Sequence, residues 1–150
     1  MGATMKFRMF SAQHIELADI ARDIVAHVSA LANGTGAAAR DPLPALRLAF
    51  SRAVGAHCSA EIDCLRAHLE SHPHVAAERA DMIRRFHDEL LAWRGSLMDC
   101  NAHWPAKRVV ESPAAFLDVF TPLADALYAR LRWEEQEFYP KVLGRKPVSA

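Results

Sequence analysis

The sequence predicts an all-α fold, an antiparallel up-down four-helix bundle built from two repeated helical hairpins. Three observations predict it. Apolar residues recur at helical intervals through four long segments, and no strand-like alternation competes with them. Cap and turn signals bound those segments and leave connections of moderate length. The polar residues that interrupt the apolar stripes repeat at fixed distances along the chain. At 150 residues the chain is one domain, 1–150, with its core over about 8–143.

The first helix is expected from about Ser11 to Leu31, with Phe7, Phe10, His14, Ala18, Ala21, Val25 and Val28 on one stripe. Asn33-Gly34-Thr35-Gly36 ends it, as glycine-rich turns do. Asp41-Pro42 opens the second, which runs to about Glu70 with Phe50, Ala53, His57, Glu61, Cys64 and His68 in line. Ser71-His72-Pro73-His74 breaks the chain before a third helix over about Val75–Cys100, whose stripe includes Ile83, His87, Leu90, Leu91, Leu97 and Met98. Ser112-Pro113 and Thr121-Pro122 are two cap-plus-proline signals, so the fourth helix is expected as a separate turn followed by a long part from Pro122 to about Tyr139. Pro140 is expected to close it. The long part carries Leu127, Arg130, Glu134 and Phe138 on its stripe.

Composition narrows the function. Eighteen basic residues balance eighteen acidic ones, which disfavours nucleic acid and anionic membrane as partners. No apolar stretch is long enough for a membrane helix or a signal peptide. Cys58, Cys64 and Cys100 are odd in number and lack C-x-x-C spacing, which fits a reducing compartment, so a cytoplasmic location is expected. No phosphate-binding loop, nucleophile elbow or H-E-x-x-H motif occurs, and an enzyme is the reading with least support. The unusual feature is eight histidines, which raises the question of metal.

Spacing selects among them. His14 and His57 are 43 residues apart, and the same interval from His87 reaches Arg130. An interval of 73 residues relates His14 to His87 and Glu61 to Glu134. One hairpin thus carries His14 and His57-x-x-x-Glu61, the other His87 and Arg130-x-x-x-Glu134. Residues four apart on a helix face the same way, one turn above each other. A pseudo-twofold pairing of the hairpins would gather His14, His57, Glu61, His87 and Glu134 around one point. Imidazole nitrogen with carboxylate suits iron, manganese or zinc, and two buried carboxylates without a cation would be costly.

These residues, with the closing Glu134-Glu135-Gln136-Glu137-Phe138-Tyr139-Pro140, resemble the hemerythrin-like, HHE cation-binding domains. The resemblance covers about residues 8–143. It implies a non-haem di-iron centre with glutamates bridging and histidines terminal. It also implies roles in binding dioxygen or nitric oxide, or in sensing or carrying iron or redox state. Where that family has a fourth-helix histidine this chain has Arg130, which has no lone pair for a metal. Two outcomes stay open. One metal sits on His14, His57, Glu61 and Glu134, with His87 behind them or as a fifth ligand. Alternatively, Arg130 replaces the metal charge in a metal-free bundle that serves as an interaction or regulatory module. The ferritin-like alternative fails, because no glutamate has a histidine three residues on. His68 and His72, also four apart, read as a helix end near solvent, and Cys64 as a small buried hydrophobe beside the centre.

Overall fold

A computed structural model describes residues 3–35 and 41–144, with side chains from residue 8 onward. Phe7 and Gly36 of the expected first helix and turn fall outside the described side chains and residues, respectively. Every regular element among the described residues is helical: α1 (Ala3–Ala32), α2 (Leu43–Ser71), α3 (Pro73–Glu78), α4 (Ala80–His103), α5 (Ala106–Glu111) and α6 (Pro113–Trp133). A π-helical turn, Glu134–Phe138, then leads into the short α7 (Tyr139–Val142). No helix among the described residues is long and apolar enough to cross a membrane.

The helices start and stop for local reasons. Asp41 Oδ1 accepts the Leu43 amide at 3.0 Å and so satisfies an otherwise orphaned N–H at the head of α2. The same oxygen receives His27 Nε2 at 3.0 Å, tying the end of α1 to the start of α2. Gly34 takes a positive φ of 72° after α1, a conformation open to glycine without strain.

α1 packs along both α2 and α6, and α4 packs on α6. The core runs as one apolar cluster through Phe10, Leu17, Ile24, Phe50, Leu65, Phe86, Leu97, Phe120 and Leu127. At its far end Phe50 meets Trp93 edge-on at 6.3 Å, and Trp93 Nε1 donates to the Leu123 carbonyl at 2.9 Å. Burying an indole this way keeps its one polar atom paired.

Three expectations need correction. The separate turn before Pro122 does not exist: α6 is continuous from Pro113, with Pro122 inside it. Phe116, Phe120, Ala124 and Leu127 are buried in helical register on both sides of the proline. That packing outweighs the cost of one missing backbone hydrogen bond. Pro140 does not end the helix either, because the widened π turn just before it lets the chain run on to Val142. The stripe expected on α4 is right at Leu90 and Leu97 and wrong at Leu91 and Met98. Its buried face is Phe86, Leu90, Trp93, Leu97 and Cys100, while Leu91 and Met98 are about two-thirds exposed.

Candidate metal centre

Four buried side chains from three elements converge in the core: His14 of α1, His57 and Glu61 of α2, and Glu134 at the start of the π turn. One donor atom from each lies within 4.8 Å of all the others, close enough to hold one metal ion. His14 Nε2 is 3.2 Å from His57 Nε2 and 3.1 Å from Glu134 Oε1. His57 Nε2 is 3.4 Å from Glu61 Oε2 and 3.7 Å from Glu134 Oε1. Neighbouring ligands held at about 2.1 Å from one ion are about 3.0–3.4 Å apart, so these spacings suit a shared ion with little rearrangement.

The outer edge of the His57 imidazole is also occupied. His57 Nδ1 donates to Gln13 Oε1 at 2.7 Å, which leaves the Nε2 lone pair for the centre. His14 Nδ1 lies 3.4 Å from Glu135 Oε1. The Gln13 oxygen behind His57 fixes that ring's orientation and tautomer, as the usual support of a metal-bound imidazole does, whereas His14 Nδ1 is buried without a hydrogen bond. Glu61 Oε1 is buried with no hydrogen-bond partner, a vacant lone pair inside the core.

Arg130 stands behind Glu134. Its Nε reaches Glu134 Oε2 at 3.0 Å, on the carboxylate oxygen turned away from the histidines. Its Nη2 donates to the Phe86 carbonyl at 3.0 Å, and its guanidinium lies 4.8 Å over the Phe86 ring. The arginine therefore shares the core with the four-residue cluster and displaces none of its members.

His87 does not join them. Phe86, one residue earlier, takes the inward position, fully buried and stacked on Phe138 at 4.4 Å. One residue turns the chain by about 100°, so His87 faces a separate groove of about 380 Å³ with Ile62, Leu65, Arg66, Leu69 and Glu70. His68 and His72 stack their rings at 4.2 Å. Cys58, rather than Cys64, lines the small void beside the centre, and burial pushes its thiol up to about 11.

Sequence reasoning missed Tyr139. Its hydroxyl donates to Glu61 Oε2 and lies 3.1 Å from Glu134 Oε1 and 3.2 Å from His14 Nε2. Five residues on a regular α-helix are about 140° apart, which would send Tyr139 away from the face of Glu134. The π turn corrects this, with the Tyr139 amide bonding the Glu134 carbonyl five residues back. Such turns often mark functional sites. The only sequence signal was a tyrosine five residues after the in-phase glutamate, just before proline.

The electrostatics follow from crowding charge in the core. Burial acts to lower the His57 pKa, but Glu134 and Glu61 outweigh it and lift it to about 9. His14 is raised as well, burial again being outweighed, here by Glu134 and Glu135. Burial, with the Glu134 charge beside it, raises Glu61 to about 7. Burial also acts to raise Glu134, yet His14, His57 and Arg130 hold it below the usual carboxylate range. One carboxylate is thus firmly ionised while the other shares a proton with the histidines.

No protein-family model, curated protein or solved structure matches the chain.

Proposed function

We propose that the chain is a hemerythrin-like protein, an antiparallel four-helix bundle that holds one non-haem iron on His14, His57, Glu61 and Glu134. It binds or senses a small ligand there. One observation carries this reading: two buried imidazoles aim Nε2 at each other and at two buried carboxylates. Two carboxylates buried together are costly without positive charge beside them, and Arg130 reaches only Glu134. The histidine–carboxylate set suits iron, manganese or zinc, and the resemblance of the motif favours iron.

Arg130 argues for one ion rather than two. It engages Glu134 Oε2, the oxygen a second bridged ion would need, and sets a permanent positive charge there. Bound iron would supply an open coordination position for a diatomic such as dioxygen or nitric oxide. The chain sets the size limit. The void beside the centre, walled by Val54, Leu90 and Leu127, is about 10 Å³, room for about one water-sized molecule. A groove of about 470 Å³ between α1 and α6 is lined by His14 and by half-exposed Glu135. The test is anaerobic reconstitution with Fe(II), followed by desalting and metal analysis. Close to one iron per chain is expected. An iron content near zero would overturn the reading.

The Arg130–Glu134 pair favours a second reading, a metal-free bundle kept as an interaction or regulatory module. In it the guanidinium offsets Glu134, and a proton shared by His57 and Glu61 offsets the other carboxylate. The same reconstitution separates the two readings.

A further inference from the structure

The four convergent residues leave Tyr139 unexplained. Its oxygen borders every corner of the triangle formed by His14 Nε2, Glu61 Oε2 and Glu134 Oε1. His57 Nε2 borders the same three atoms. By position, then, the Tyr139 oxygen stands to the centre as His57 does. A hydroxyl has one proton to give, so it can serve only one of the two carboxylates as a donor. The ring is fixed: it is fully buried and stacks on Phe10 at 5.7 Å and on His14 at 5.9 Å. The π turn that aims it costs α6 a regular ending.

We propose that Tyr139 is a fifth ligand, binding a ferric ion at the centre through its phenolate oxygen. The inference rests on the proposed metal-centre reading. In the step, the phenol O–H bond breaks, an oxygen–iron bond forms and the proton leaves to water. The ion is supplied already ferric, so no electron moves. Oxygen ligation by tyrosine is a known way of holding iron in proteins. The chain has one other tyrosine, Tyr128, which lies in the groove between α1 and α6 with Arg22 over its ring. It serves as an internal control.

The experiment loads the full chain with Fe(III) citrate, removes the excess, and records iron per chain, the visible spectrum and resonance Raman scattering. Full uptake with an intense visible charge-transfer band and phenolate vibrations is expected. The band should be lost in Tyr139→Phe and kept in Tyr128→Phe. Zn(II) should still bind Tyr139→Phe through the other four residues. Full iron uptake without the band or the phenolate vibrations would overturn Tyr139 as a ligand while leaving the metal centre standing. So would a band that survives in Tyr139→Phe. Should that variant not fold, the vibrations of the unaltered chain decide. Absence of any metal uptake by the unaltered chain would overturn the centre and this inference with it.

Discussion

Arg130 and Gln13 are the residues whose roles can be separated most cleanly. Arg130 is buried, its Nε on Glu134 and its Nη2 on the Phe86 carbonyl. Removing one partner of a buried ion pair leaves the other charge uncompensated. Arg130→Ala is therefore expected to destabilise the metal-free protein by about 3–5 kcal/mol in urea unfolding. Arg130→His removes the fixed charge and offers a new imidazole next to Glu134, so metal analysis should find more iron per chain than in the unaltered protein. Gln13 touches the centre only through His57 Nδ1. Gln13→Ala should leave the fold intact and weaken metal affinity about 10–100-fold, as loss of the group behind a ligating histidine does. Competition titration against a chromophoric chelator measures it.

At the level of the helices, Pro122 is the clearest anomaly. It is exposed and sits well inside α6, where its ring nitrogen cannot donate to the carbonyl four residues back. Pro122→Ala restores that bond, and the gain should exceed the freedom returned to the unfolded chain. A stabilisation of about 1–2 kcal/mol is expected in urea unfolding. The proline shows why some boundaries were hard to read. A cap-plus-proline pair is a strong local start signal, yet apolar phase across it decided the outcome. Helices α1, α2 and α6 were legible at the centre because a polar residue interrupts a well-marked apolar stripe in each, at His14, at His57 and Glu61, and at Glu134. Helix α4 misled because it is apolar on two faces. Exposed Leu91 and Met98 widened the apparent stripe, and the 73-residue interval from His14 then selected His87 where Phe86 points inward. Tyr139 was illegible for a different reason: a change of helical pitch within five residues leaves no periodic trace.

For the whole molecule, the balance of charge in the core makes stability depend on pH in a defined direction. His57 is raised from 6.5 to about 9, so the stability it lends is whole below about 6.5 and is lost as pH rises through 9. Glu61 is raised from 4.5 to about 7, so the fold favours its neutral form and loses stability as pH climbs through that range. Both effects have the same sign. The metal-free protein should therefore melt at progressively lower temperature between about pH 5 and 9. Metal needs His57 neutral and Glu61 ionised, so thermal scans with and without Zn(II) should show a gap that widens with pH. The centre also has a topological consequence. Tyr139 and His14 are 125 residues apart, and their contact joins the last and the first helix among the described residues. With the centre closed, α1 cannot open at His14, nor α7 at Tyr139, without disturbing the same buried cluster. Amide hydrogen exchange around His14 in α1 and in α7 should then slow together on metal loading, as one cooperative unit drawn from distant parts of the sequence.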